Sequence, residues 1–257
     1  MTSAGFPTLH GPARHGLARV LSKQGICSRS EAGKWIVAGR VSVEGRVVRD
    51  VEFPVVLGKQ RIAIDGVDLG QGERIYRMLN KPRGLVTTAR DEQDRETVYR
   101  CFDGAALPWI APVGRLDKAS EGLLLFSNDP EWSARITDPE TGPQKTYHVQ
   151  VDRIPDPSVL TRLLTGVLVE GEALAAHSAG LLRQGEKNAW LEIVLDEGRN
   201  RQIRRLLAAF DLGVLRLIRV SIGDLVLGEL PKGHWRKLSV AEAAALSPAK
   251  RMQERGQ

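Results

Sequence analysis

The stretch 113–129 carries the strongest chemical signal in the chain. At its centre stands Asp117, two residues after Arg115 and followed by Ser120, Glu121 and Gly122, which read as a turn. Leu123 to Phe126 are four apolar residues in a row, the pattern of a strand buried on both faces. A carboxylate on a loop entering such a strand is held rigidly near low-dielectric surroundings. That placement suits a reactive carboxylate, and it suits a structural ion pair equally well. Glu121 reads as part of the turn that fixes Asp117. With a single aspartate rather than a spaced acid pair, glycoside hydrolysis is disfavoured.

Two further stretches offer polar groups on apolar frameworks. From Lys145 to Val151 the chain alternates strictly, with Tyr147, Val149 and Val151 on one face and Thr146, His148 and Gln150 on the other. This is a half-buried strand that puts Tyr147 on its apolar side, where a core aromatic with a satisfied hydroxyl is the plainer alternative to a functional one. After the turn Asp196, Glu197, Gly198, the run from Arg199 to Leu207 becomes a helix that ends before Gly213. Ile203, Leu206, Leu207 and Phe210 form its buried stripe. Arg204 lies at the border between that stripe and solvent.

These groups need a framework, and the chain supplies one in two parts. A second domain starts at Ile75, with a strand over Tyr76–Leu79 broken at Pro82, which has no amide hydrogen to donate. Leu85–Thr88 resumes as a strand, and Glu96–Phe102 reads as a short helix. Asp129 and Pro130 open a helix through Ile136. Residues 158–166 form another, Trp190–Leu195 a strong strand, and Val214–Ile222 with Asp224–Leu227 closing strands. Domain limits follow: a disordered tail over 1–16, a small domain over 17–67, a linker over 68–74, the large domain over 75–239 and a C-terminal tail over 240–257, read as a short helix and a frayed basic end.

Composition narrows the partners. Of 257 residues 42% are hydrophobic, enough for a sizeable core, and the formal charge is +6. A basic excess fits a polyanion, and the arginines concentrate in residues 14–49 and 199–219. Cys27 and Cys101 match no metal-ligand spacing, so a zinc site built from cysteines is not expected and two buried thiols in a reducing cytoplasm are. No run approaches the length of a membrane helix, and no secretory signal opens the chain. A monomer in the cytoplasm is the expectation.

In the small domain, Leu17, Val20 and Leu21 mark one face of a short helix stopped at Gly25. A second helix starts from Ser28, with Glu31 completing a capping box. Arg19, Lys23, Arg29, Lys34 and Arg40 remain on the outside, where they can bridge phosphates or form an ordinary solvated surface. The sequence here, with Leu17 to Ser22, Ser28 to Ala32 and Ala38 to Gly45, resembles the S4 RNA-binding domain. Such modules grip structured RNA with the helix pair, reading backbone shape more than sequence.

Four segments of the large domain resemble the RsuA-like family of pseudouridine synthases: Asn80 to Gly84, Gly114 to Asp117 with Ser120 to Leu123, Lys145 to Tyr147, and Glu197 to Arg205. The resemblance implies an α+β fold. A mixed, largely antiparallel sheet would be flanked by helices, behind a small S4-like α/β domain. It implies isomerisation of a uridine to pseudouridine in ribosomal RNA, with Leu215 to Val220 closest to members acting on the large subunit. A small-subunit target is the alternative within the family. The reaction breaks the N1–C1′ bond, turns the uracil and rejoins it through C5, on a base extruded from its stack. It needs no redox change or group donor, so no cofactor and no metal are expected.

By resemblance Asp117 is the catalytic carboxylate, either attacking C1′ or removing the 2′ proton. Arg204 is its ion-pair partner, Tyr147 stacks on the flipped uracil, and Arg115 supports the displaced strand. The expected partner is ribosomal RNA or a pre-ribosomal particle. Two other classes stand against this: a non-catalytic RNA-binding assembly factor, and a glycosidase using Asp117 with Glu121. The first would be favoured by loss of Asp117, Tyr147 or Arg204, all of which are present. The second needs exposed aromatics, and only 5% of residues are aromatic.

Overall fold

A computed structural model describes residues 14–56, 59–69, 73–88, 91 and 93–247. The chain divides into two compact units. One runs through Arg74 and includes 108–110 and 128–130; the other holds 75–107, 111–127 and everything from Glu131 onward.

The first unit comprises β1 (Arg14–Gly16), α1 (Leu17–Lys23), α2 (Arg29–Val37), β2 (Val41–Val43), β3 (Arg46–Val47), β4 (Pro54–Val56), β5 (Ile62–Ile64) and β6 (Val67–Asp68). Leu17, Val20 and Leu21 are buried as their spacing requires, and they join Ala32, Ile36, Val41, Val55 and Ile62 in one core. Ser28 caps α2, its hydroxyl accepting from the Glu31 amide at 3.1 Å. Four short strands form an antiparallel sheet in the order β3, β2, β5, β6. The expected disordered tail differs at its end: Arg14–Gly16 is a strand paired with β4, while residues 1–13 lie outside the described residues. Within the expected linker, Asp68 is still paired in β6, and 70–72 are outside the described residues.

The second unit is built on a nine-stranded sheet. Its elements are β7 (Tyr76–Lys81), β8 (Ala111–Val113), β9 (Glu121–Ser127), α3 (Pro130–Thr137), β10 (Lys145–Val151), α4 (Pro157–Thr165), β11 (Val167–Val169), β12 (Glu172–Leu174), β13 (Ser178–Gln184), β14 (Ala189–Leu195), α5 (Gln202–Ala208), β15 (Val214–Ile222), β16 (Leu225–Val226), β17 (Trp235–Lys237) and α6 (Val240–Leu246). The order is β13, β14, β10, β15, β9, β7, β17, with β16 beside β15 and β8 beside β9. All neighbours run antiparallel except β15 and β9.

All seven residues of β9 are buried, as the apolar run requires. β10 and β14 alternate, so one face packs inward. The join between β9 and β15 depends on Gly122. Its φ is +100°, and a Cβ there would fall 2.3 Å from the carbonyl oxygen of Arg219. Only glycine accepts both the dihedral and the approach.

Several sequence expectations are corrected. Leu85–Thr88 is not a strand: Val86 makes a single bridge to Thr97, and the Thr87 hydroxyl is turned inward onto Leu116. The short helix expected at the start of 240–257 is α6; the capping box of Ser239 and Glu242 starts it, and its Ala243 and Leu246 are buried. The rest of that tail, 248–257, lies outside the described residues. Cys27 is buried, but Cys101 is only partly so. No helix among the described residues is long and apolar enough to cross a membrane.

Candidate active site

Asp117 sits on the loop between β8 and β9, and the carbonyls of residues 116–120 in that loop are all held. The Thr87 hydroxyl donates to Leu116 (2.7 Å), and the Leu116 amide lies 3.3 Å from the same hydroxyl. The Gly84 amide donates to Lys118 (2.8 Å), and Arg204 Nη2 to Ala119 (3.2 Å). Lys81 Nζ takes the remaining two, Asp117 (3.2 Å) and Ser120 (2.9 Å), and reaches Pro82 as well (3.1 Å). Within the loop, the Ser120 amide closes onto Asp117 O at 3.0 Å. Five consecutive carbonyls are thus anchored, so the Asp117 side chain has little freedom to wander with its backbone.

Lys81 is the centre of this clamp and is fully buried. Burial pulls its ammonium down to about 8, and the charges of Cys101, Asp117 and Glu121 only partly oppose this. A buried ammonium is tolerated because three carbonyls satisfy it. From sequence the strand reads as stopping at Leu79, which leaves Lys81 outside it. The strand in fact continues through Lys81 and ends at Pro82.

The Asp117 carboxylate, 34% exposed, faces two guanidinium groups at one oxygen. Arg204 Nε lies 3.9 Å from Oδ2 and Arg201 Nη1 3.6 Å from the same atom. Arg204 is anchored, its Nη1 donating to Val214 at 3.3 Å, while its Nε is buried with no hydrogen-bond partner. Burial lowers the Arg204 pKa first, then the charge of Arg201, with Asp117 acting the other way. Arg201 precedes α5 in the left-handed region at φ 48°, a conformation uncommon outside glycine and often found at functional sites. Sequence reasoning paired Asp117 with Arg204 alone. Nothing in the arginine run marks Arg201 as a second partner, since only its backbone turn aims it.

A cavity of about 340 Å³, the size of a small-molecule site, joins Asp117 to Arg115, Tyr147, Arg201 and Arg204. Tyr147 is buried on the inner face of β10, but its hydroxyl meets no partner among the described residues. Arg115 is exposed at the cavity wall. Lys145 and Arg219, both buried, line the same cavity and were not singled out by sequence. Alternation did place Lys145 on the Tyr147 face.

Other charges are structural. Glu121 is the buried first residue of β9, not an exposed turn residue, and it pairs with both Arg216 (3.1 Å) and Lys232. Burial pushes its pKa up, but the bonds from Arg216 and Lys232 outweigh this and leave it lowered. Arg199 and Arg205 are tied to Glu172, at 3.1 and 2.6 Å. The arginine concentration over 199–219 therefore serves the fold as well as the cavity.

In the first unit, three of the five basic residues expected to meet RNA are engaged with acids. Arg29 pairs with Glu52 (3.3 Å), Lys34 with Glu31 (3.4 Å) and Arg40 with Asp65 (2.5 Å). Arg40 also lies over the Trp35 ring. Such exposed pairs are weak and exchange readily. Arg19 is exposed on α1, and Lys23 is partly buried at its end.

Comparison with known proteins identifies the family. Residues 75–209 match the RNA pseudouridylate synthase family, and residues 16–60 match the S4 domain. The chain is 36% identical to an RNA pseudouridine synthase of Rickettsia prowazekii, over 87% of this chain and 94% of that protein. It is 34% identical to ribosomal large subunit pseudouridine synthase B of Bacillus subtilis, over 90% and 94%. The Shigella flexneri protein of that name is 38% identical, over 88% and 80%. A crystal structure of a pseudouridylate synthase superposes with a TM-score of 0.63 at 30% identity, covering 90% of this chain and 99% of that one. This chain, whose N-terminal part is an S4 domain and whose larger part carries the cavity around Asp117, belongs to the RNA pseudouridylate synthase family.

Proposed function

We propose that this protein converts one uridine of large-subunit ribosomal RNA to pseudouridine, with Asp117 as the group that acts at the ribose. The observation that carries the reading is the convergence on one cavity of the clamped Asp117, its two arginines and Tyr147, whose hydroxyl has no partner among the described residues. The large-subunit target rests on the relatives that carry that name and span nearly the whole chain.

The flipped uridine enters the cavity with its base against Tyr147 and its ribose toward Asp117. Arg204 and Arg201 keep the carboxylate charged. Asp117 then attacks C1′ or takes the 2′ proton, and the base departs from N1, turns and rejoins through C5. Tyr147 stacks on the base, and its hydroxyl assists proton movement at C5. Arg115, at the cavity wall, stacks on or bonds to the displaced strand. The S4 domain holds neighbouring RNA, with Arg19, Lys23, Arg29, Lys34 and Arg40 as candidate phosphate contacts. The protein works as a cytoplasmic monomer on ribosomal RNA or a pre-ribosomal particle.

The test is a pseudouridine map of ribosomal RNA from cells with and without the protein. One site missing from the large-subunit RNA is expected. A site missing from the small subunit would overturn the target but keep the reaction. No missing site, together with no pseudouridine formed on purified rRNA, would overturn both.

A further inference from the structure

Breaking the N1–C1′ bond leaves a charge that Asp117 cannot manage. The bonding electron pair departs with N1, so the uracil is released as an anion whose charge spreads onto O2 and O4. By the first route C1′ gains a bond to an Asp117 oxygen. By the second, Asp117 takes the 2′ proton and the C–H electrons close a C1′–C2′ double bond. Either way the negative base must persist while it turns; C5 then bonds to C1′ as the C1′–O bond to Asp117 breaks (first route) or as Asp117 returns its proton to C2′ (second route), after which C5 gives up its proton and N1 is protonated.

The sheet beneath Tyr147 carries two buried cations. Lys145 is two residues before Tyr147 on the same face of β10, and Arg219 is the cross-strand partner of Tyr147 on β15. They are 8% and 5% exposed, and both line the cavity that holds Asp117. Arg219 Nε donates to the Leu123 carbonyl at 2.7 Å, but its Nη2 is buried and has no partner. Neither side chain is ion-paired among the described residues. Burial lowers the Lys145 pKa, and the nearby charge of Arg219 lowers it further against Asp196 and Asp138. Two buried cations that neither of these acids reaches as an ion-pair partner are costly unless an anion joins them.

We propose that Lys145 and Arg219 form the subsite that receives the detached uracil and stabilises it as an anion. This rests on the reading of the cavity as a uridine-isomerising site. The donors are fixed in place before the charge develops, the arrangement in which electrostatic stabilisation is most effective. The site also explains why a lysine and an arginine occupy positions on a sheet face otherwise shared with Val149, Leu191 and Ile193.

The test uses the full-length protein and rRNA fragments carrying uridine or 5-fluorouridine at the modified position. Fluorine withdraws electrons, so 5-fluorouracil leaves more readily as an anion and needs less help. Loss of the N1-linked nucleoside is followed in single turnover. Lys145→Gln is expected to slow uridine cleavage by ~10²–10³-fold, with a much smaller loss on 5-fluorouridine and unchanged RNA affinity. Lys145→Arg should recover most of the rate. Equal slowing on both bases, or a loss confined to RNA affinity, would overturn the assignment. If Lys145→Gln does not fold, Arg219→Lys carries the same comparison: a larger defect on uridine supports the subsite, and equal defects refute it. Turnover by the wild type with no selective defect in the variants removes the inference alone; a wild type inactive on every rRNA removes the functional reading.

Discussion

Arg204 holds a buried Nε 3.9 Å from Asp117 Oδ2, with no closer acceptor. A buried donor left short of its acceptor is a site that tightens on binding, since catalytic hydrogen bonds are often long before substrate arrives. Asp117→Asn keeps the shape but removes the negative charge needed at C1′ or at the 2′ proton. It should abolish pseudouridine formation while RNA affinity stays close to wild type, measured by rRNA mapping and by filter binding. Residual turnover would assign the chemistry elsewhere.

Gly122 tests the scaffold rather than the chemistry. A Cβ at this position meets the Arg219 carbonyl and amide at 2.3 and 2.9 Å, both backbone atoms that cannot swing aside. Gly122→Ala should cost at least ~1–3 kcal/mol from the dihedral alone. The parting of β9 from β15 adds to this and displaces both Asp117 and Arg219. Thermal unfolding measures the loss, and an unchanged melting temperature would show that the two strands separate freely.

Glu121 is nearly inaccessible while its partners Arg216 and Lys232 are part-exposed, so the carboxylate carries most of the burial cost. Glu121→Gln should destabilise toward the lower end of the ~3–5 kcal/mol found for broken buried pairs. Its pKa is lowered in the fold, so the unfolded chain binds the proton more tightly. The stabilisation is therefore present above the unfolded pKa and is lost as pH falls through the folded one. Acid unfolding followed by circular dichroism should show a shallower pH dependence in Glu121→Gln than in wild type.

The periodic elements were legible because burial acts on every residue of them. The apolar run of β9, the alternation of β10 and the stripe of α5 each report a face, and each side chain follows its face. Tyr147, Lys145 and Arg204 inherit their positions from those patterns. Lys81 and Arg201 do not. One lies at the end of a strand that Pro82 only appears to interrupt earlier, and the other takes its direction from a single left-handed residue. Their roles depend on carbonyls and a carboxylate 36 and 84 positions away, which no local pattern encodes.

Arg19 offers a test of the S4 domain that leaves the cavity untouched, being exposed on α1 and far along the chain from Asp117. If it meets a phosphate, Arg19→Ala should weaken RNA binding and reduce the slope of log affinity against log salt by about 0.7–0.9. Single-turnover rates at saturating enzyme should not change. An unaltered salt slope would remove Arg19 from the interface.

Lys81 makes the activity sensitive to alkali in a way that stability is not. The ammonium uses its three hydrogens on Pro82, Asp117 and Ser120, and burial brings its pKa to about 8. Above that pH the neutral amine has two hydrogens, so one carbonyl loses its donor and the Asp117 loop slackens. The single-turnover rate should therefore fall as pH rises through about 8. Stability runs the other way. The unfolded lysine titrates near 10.5, so between about 8 and 10.5 the unfolded chain binds more protons than the folded one. Across that window this group's contribution to stability rises with pH, because the charge whose burial is costly is leaving. Lys81→Met removes both effects: turnover is low throughout, and the alkaline change in rate and in melting temperature that wild type shows is flattened. A wild-type rate that holds level from pH 7 to 10 would mean that the loop keeps its shape without the ammonium, and that Thr87, Gly84 and Arg204 are sufficient to hold Asp117.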